Sequence, residues 1–145
     1  MRFWITVLSV MFLDQITKWW IASNYQVGES HPLLGNWLYL TYVQNRGAAF
    51  GILPGQAWFF LAAAALVILG LIIYNHRYTV EKPVQIWTGL LVAGAAGNFI
   101  DRWRLQYVID FLDLRWWPVF NLADAAVVVG GILLVIHILF FVKEG

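Results

Sequence analysis

The chain reads as an all-α membrane protein. It has four transmembrane helices and a small β-sheet or loop element on one membrane face, in a single domain spanning residues 1–145. Three observations predict this. Hydrophobic residues make up 61% of the chain and charged residues only 12%, too apolar a balance for a soluble domain of this size. Four apolar runs (Phe3 to Ala22, Ala57 to Tyr74, Val84 to Ile100 and Ala123 to Val142) approach the roughly 20 residues a helix needs to cross a hydrocarbon core. Nine Trp and six Tyr suit aromatic belts at the two interfaces. A net charge of +1 without a basic cluster gives no reason to expect nucleic acid. The absence of cysteine excludes a disulfide framework, a thiol nucleophile and a thiolate zinc site. His31, His76 and His137 lie far apart without metal-ligand spacing, so neither a metal nor a cofactor is expected.

The first helix, about residues 3–22, is not a cleavable leader. It carries Asp14 and Lys18 in its body and runs too long for a signal-peptide core. Asp14 and Lys18 stand four apart and share a face. Either Lys18 snorkels to the interface with Asp14 neutralising it, or the pair turns inward to support a site.

Residues 23–55 form the longest polar segment. Gly28, His31-Pro32 and Gly35-Asn36 are turn signals. Trp37 to Val43 (WLYLTYV) is aromatic and β-branched and reads as a strand, with Tyr25 to Glu29 as the expected hairpin partner. Asn45-Arg46-Gly47 reads as a turn, followed by a short helical turn over Ala48 to Leu53.

The second helix, 57–74, carries no charge and reads as scaffold; NHRYTVEKP is its polar connection to the third. That helix, 84–102, repeats small residues at Gly89, Ala93 and Gly97, a pattern that lets another helix approach closely. Its end places Asn98, Asp101 and Arg102 on one face. Asp101 and Arg102 can anchor the helix at the interface. Asn98 lies deeper and needs a hydrogen-bond partner.

YVIDFLDL then reads as a strand, with Asp110 and Asp113 on opposite faces. The fourth helix, 121–142, opens with NLAD. Asn121 is a favoured N-cap and Asp124, three positions on, can complete a capping box. A carboxylate at the edge of hydrocarbon is equally a functional-site candidate. A chain reversal through Arg115-Trp116-Trp117-Pro118 would let Asp110 reach Asp124, and two facing carboxylates at a membrane surface suit acid/base work. Intramembrane Asp, Lys and Asn also fit a small proton- or ion-coupled transporter or pore subunit. Basic residues do not orient the chain: Arg2, Arg77, Lys82 and Lys143 lie toward one side, and Lys18, Arg46, Arg102, Arg104 and Arg115 toward the other.

Five blocks carry a resemblance. DQITK (Asp14 to Lys18), TYVQNRGAAFGIL (Thr41 to Leu53), GAAGNFIDR (Gly94 to Arg102), YVIDF (Tyr107 to Phe111) and FNLADAAVVVG (Phe120 to Gly130) span most of the chain. In this order the chain resembles the lipoprotein signal peptidases, the type II signal peptidases of bacteria. The resemblance implies a multi-pass protein of the bacterial inner (cytoplasmic) membrane, with both termini cytoplasmic and the active site toward the extracytoplasmic face. It implies an aspartyl endopeptidase that removes the signal peptide of diacylglyceryl-modified prolipoproteins just before the lipidated cysteine, needs no metal, and is blocked by globomycin-type inhibitors. The implied catalytic pair is Asp110 and Asp124. Asn45, Arg46, Asn98, Asp101, Arg102, Asn121 and Ala123 are the implied substrate-binding or supporting residues, and Asp14 and Lys18 structural ones. Membrane lipid and the lipidated substrate are the implied partners. The ten residues between Asp110 and Asn121 read as a short loop for that family.

Overall fold

A computed structural model of the chain describes residues 1–47 and 57–141. In chain order the elements are α1 (Arg2–Asn24), β1 (Ser30–Leu34), β2 (Leu38–Asn45), α2 (Ala57–Arg77), α3 (Lys82–Leu105), β3 (Val108–Asp113) and α4 (Leu122–Phe141). The helical turn expected over Ala48 to Leu53, and Val142 at the expected end of the fourth helix, lie outside the described residues.

Helix α3 is the centre of the bundle and touches α1, α2 and α4. The small residues read from its sequence are the reason. A β-carbon on Gly89 would stand 2.9 Å from the Thr6 Cβ of α1, and one on Gly97 would collide with the Asp14 carboxylate. On a neighbouring face, Gly94 lies against the Ala123 carbonyl of α4, and Gly130 of α4 lies against the Trp87 carbonyl of α3. Backbones thus meet directly, as association in lipid requires.

Helices α2, α3 and α4 are long and apolar enough to cross a membrane. Helix α1 has 23 residues, but Asp14 and Lys18 in its body lower its apolar balance. The expectation of four crossing helices therefore stands, by composition, at three. The burial of α1 is inverted relative to a soluble helix. Trp4, Leu8, Phe12, Ile16 and Trp19 are exposed, while Phe3, Val7, Asp14, Lys18 and Ile21 are buried. The charged pair points inward against α3 and does not snorkel.

The three strands form one antiparallel sheet in the order β1-β2-β3. It sits over one end of the bundle, where Ile21, Tyr42, Ile109 and Phe111 form a buried cluster. Two expectations are corrected here. The hairpin strand beside β2 is Ser30–Leu34; of the expected Tyr25 to Glu29, Gly28 and Glu29 bond to β2, the Gly28 N–H to the Tyr42 carbonyl at 2.8 Å and the Tyr42 N–H to the Glu29 carbonyl at 3.0 Å. The earlier residues are spent on a turn, with Gly28 at φ +88° and the Glu29 N–H bonded to the Gln26 carbonyl at 2.9 Å. His31-Pro32 is likewise not a turn but lies in β1. That strand is at the sheet edge, where proline's missing N–H is tolerated. The real reversal is at Gly35, φ +51°.

Strand β3 pairs with β2, Val43 opposite Asp110 and Asn45 opposite Val108. The short loop after β3 closes tightly. The Phe120 N–H bonds to the Leu112 carbonyl at 3.0 Å, and the Leu112 N–H to the Phe120 carbonyl at 2.7 Å. This reversal through Arg115-Trp116-Trp117-Pro118 returns the chain beside Asp110 and starts α4 there.

Candidate active site

Three elements deliver the site. β3 carries Asp110, the start of α4 carries Asn121 and Asp124, and the last turns of α3 carry Asn98, Asp101 and Arg102. Asp110 and Asp124 line one cavity of about 330 Å³, with Asn45, Asn98 and Arg102 among its polar wall and Trp117 to Phe120 among its apolar wall.

Each carboxylate receives amide donors. The Asn45 Nδ2 donates to Asp110 Oδ2 at 2.9 Å and the Asn121 Nδ2 to Asp110 Oδ1 at 2.7 Å. The Asn98 Nδ2 donates to Asp124 Oδ1 at 2.7 Å. The capping box read from NLAD is present too: the Asp124 N–H donates to Asn121 Oδ1 at 2.9 Å, and the Asn121 N–H to Asp124 Oδ2 at 3.3 Å. Capping the helix and lining the cavity are compatible for Asp124, because its two oxygens serve different donors. Asn121, fully buried, joins the acids: its oxygen holds the Asp124 backbone and its nitrogen holds Asp110.

Burial pushes the Asp110 carboxyl up to about 7, and the negative charge of Asp124 adds to the rise; the Asn45 and Asn121 hydrogen bonds and the Lys18 charge pull it down. This is the pattern of two acids that do not both ionise readily.

Behind this layer lies a buried ionic knot. The Lys18 Nζ is 2.9 Å from Asp14 Oδ2, 3.0 Å from Asp101 Oδ2 and 3.0 Å from Asn98 Oδ1. Asp14 accepts the Ala123 N–H at 2.9 Å, so a side chain of α1 satisfies an open donor in the first turn of α4. Asp101 accepts the Ile109 N–H at 3.1 Å and holds β3 next to α3. Ala123 is fully buried against Gly97. Among the described residues no buried side-chain nitrogen or oxygen lacks a partner.

Arg102 donates to the Gly47 carbonyl at 3.2 Å and stacks over Phe60, 4.8 Å from the ring centre. It faces the cavity, beyond the anchoring role its position first suggested. Arg46 is not brought to the carboxylates: it is exposed and does not line the cavity. The Asn45 turn reading is also correct, since the Gly47 N–H bonds to Asn45 Oδ1 at 3.0 Å.

Sequence reasoning missed two sets of residues. Gln15 donates to Asp101 Oδ1 at 3.1 Å and to the Gly97 carbonyl at 3.2 Å. Its place between Asp14 and Lys18 was the available signal. Asp113 accepts from Thr41 Oγ1 at 2.7 Å and pairs with Arg115 at 3.4 Å, while the Arg115 guanidinium covers Tyr39 at 3.7 Å. These bonds fasten the loop that forms the cavity's Trp117–Phe120 wall. The periodicity of the strand put Asp113 away from Asp110 without showing what it holds.

Residues 6–140 match the family described as Signal peptidase (SPase) II. The chain is similar to a lipoprotein signal peptidase of Syntrophomonas wolfei, 54% identical across 96% of this chain and 93% of the relative. It is similar to one of Halothermothrix orenii, 48% identical across 93% of each. Its fold is similar to that of a bacterial membrane enzyme determined by the in meso method at 2.3 Å, with a TM-score of 0.90 and 33% identity over 99% of this chain and 93% of the other.

Proposed function

Because the chain belongs to the signal peptidase II family, we propose that it is an aspartyl endopeptidase that removes the signal peptide from diacylglyceryl-modified prolipoproteins, cutting just before the lipidated cysteine. The observation that carries the reading is the pair itself: Asp110 and Asp124 line one cavity at the end of the apolar bundle, each held by buried amide donors. The family replaces the transport alternative raised by the sequence.

In this mechanism the pair shares one proton. Burial favours placing it on Asp110, which leaves Asp124, in the first turn of α4, to act as the base. Asp124 takes a proton from water as the water oxygen attacks the scissile carbonyl carbon. Asp110 gives its proton to the carbonyl oxygen, and a tetrahedral diol forms. The proton on Asp124 then passes to the amide nitrogen, the C–N bond breaks, and a diol proton returns to Asp110. Arg102 and Asn45 edge the cavity where the peptide backbone would lie. The adjoining apolar groove, lined by Leu114, Trp116, Phe120 and Val128, suits hydrocarbon.

In the same reading α1 is the fourth crossing helix, its exposed apolar face against lipid and its charges inside. Both termini are cytoplasmic, and the sheet and cavity face the other side.

The test is gel-shift cleavage in detergent of a diacylglyceryl-modified prolipoprotein. The parent is expected to cleave and to be blocked by globomycin. Asp110→Asn and Asp124→Asn are each expected to lose about 10²–10⁴-fold in rate. Retained cleavage in either variant removes that residue from the pair.

A further inference from the structure

We propose that Lys18 is a positioning residue: its ammonium fixes the sense of the Asn98 carboxamide, so that Asp124 always meets the amide N–H and not its oxygen. The inference rests on the aspartyl reading above and assigns Lys18 a part in it beyond holding helices together.

A carboxamide is nearly symmetric in shape, and a half-turn exchanges its donor and acceptor ends. What stands at each end decides which way it faces. The Lys18 ammonium only donates. It is 1% exposed, so water does not compete, and its three contacts are Asp14 Oδ2, Asp101 Oδ2 and Asn98 Oδ1. Two of those are carboxylates whose other oxygens are already taken by the Ala123 N–H and by Gln15. The ammonium therefore claims the Asn98 oxygen, and the Asn121 Nδ2 adds a second donor to it at 3.1 Å. The Asn98 nitrogen is left to face Asp124 at 2.7 Å. Flipping the amide would set an N–H against the ammonium and an oxygen against the carboxylate, unfavourable at both ends.

The other two site amides are oriented differently. Asn121 is set by the Asp124 backbone N–H and Asn45 by the Gly47 backbone N–H. Of these three amides, Asn98 is the one whose oxygen accepts from a charged side chain, and that makes the device separable by substitution. The path runs from α1 through α3 to α4: Lys18, Asn98, Asp124.

The experiment is a cycle of Lys18→Met, Asn98→Ala and the double variant, with kcat and KM read on the lipidated prolipoprotein in detergent and folding followed by thermal unfolding. Lys18→Met is expected to lower kcat about 10–100-fold and leave KM within about threefold. In the Asn98→Ala background the same substitution is expected to change kcat by less than about threefold, because the residue it acts through is gone. A full Lys18→Met effect in that background, or no effect in the parent, overturns the proposal. If Lys18→Met does not fold, Asp14→Asn/Lys18→Met removes one charge of each sign and still leaves an oxygen for the Ala123 N–H; the cycle is then run with that pair. A readout independent of turnover is the ¹⁵N-labelled Asn98 amide. Its N–H shifts are expected to respond to Asp124→Asn in the parent and to lose that response once Lys18 is methionine; a response that persists also overturns the proposal. The Asp110→Asn and Asp124→Asn proteins, assayed alongside, test the catalytic pair separately. Cleavage retained there sinks the pair, whereas independent effects in the cycle sink the positioning role.

Discussion

At the scale of single residues, the site holds a carboxyl group far from its solution behaviour. Asp110 is raised from an ordinary 3.8 to about 7, chiefly by burial. The folded protein keeps a proton that the unfolded chain releases. This contribution to stability is therefore whole below about pH 4 and lost as pH rises through about 7. Thermal unfolding in detergent between pH 4 and 8 is expected to show a midpoint that falls with rising pH, and Asp110→Asn is expected to flatten that slope. A slope unchanged in the variant means another group carries it. Asn121 has two roles that one comparison separates. Asn121→Ser keeps an oxygen for the Asp124 N–H but loses the amide that serves Asp110, Asn98 and the Ile109 carbonyl, so cleavage falls and stability drops by about 1–3 kcal/mol. Asn121→Ala loses the cap as well and is expected to cost a further ~1 kcal/mol by chemical unfolding. Asp110, Asp124, Asn98 and Asn121 were legible in the sequence because polar groups inside apolar stretches must find partners. Arg46 is exposed while its neighbour Asn45 reaches Asp110, because adjacency along an extended chain does not mean a shared direction. Gln15 was missed for the opposite reason: its long side chain crosses to Asp101 from a position that spacing alone would not choose.

At the scale of elements, close helix contact depends on particular missing side chains. A methyl group on Gly94 meets the Ala123 carbonyl and the Val127 side chain, whereas one on Gly131 finds its nearest neighbour at 3.9 Å. Gly94→Ala is expected to destabilise by ~1–3 kcal/mol through overpacking, and Gly131→Ala by no more than ~0.5 kcal/mol; unfolding of the two purified variants compares them. Equal stability would mean that α3 and α4 adjust without cost. The stripe Gly89, Ala93, Gly97 was readable as a packing face, but the sequence did not say which helix it meets. Gly89 and Gly97 turn out to face α1, and Gly94 faces α4. The strands were harder. WLYLTYV and YVIDFLDL were both recognisable, yet their pairing joins segments some 65 residues apart. Local pattern carries no record of such a partner. The hairpin partner of β2 was misjudged for a different reason: His31-Pro32 reads as a turn, which moved the expected strand back to Tyr25 to Glu29 although β1 is Ser30–Leu34.

At the scale of the whole molecule, the architecture separates an ionic interior from an apolar exterior. The proposed topology is open to direct test because the chain has no cysteine of its own. Single cysteines can be placed at exposed Trp37, in the turn between β1 and β2, and at exposed Tyr78, between α2 and α3. In intact spheroplasts Trp37→Cys is expected to react with an impermeant maleimide, and Tyr78→Cys only after permeabilisation. The reverse pattern would invert the protein, and labelling of both on one side would remove α2, the helix between them, from the crossing set. The class of fold was plain from composition, and the number of apolar runs from hydropathy. The sense of α1 was not, since a charged pair inside a helix reads alike whether it faces lipid headgroups or protein. The burial of that pair also imposes an order of assembly. Asp14 and Lys18 leave the ribosome some eighty residues before Asn98 and Asp101, and more than a hundred before Ala123. Until those partners emerge, the first helix has two ionised groups and only each other to satisfy them, a poor passenger for hydrocarbon on its own. Biogenesis must therefore keep the nascent helix near water, or beside the insertion machinery, until the third and fourth helices arrive to take up its charges.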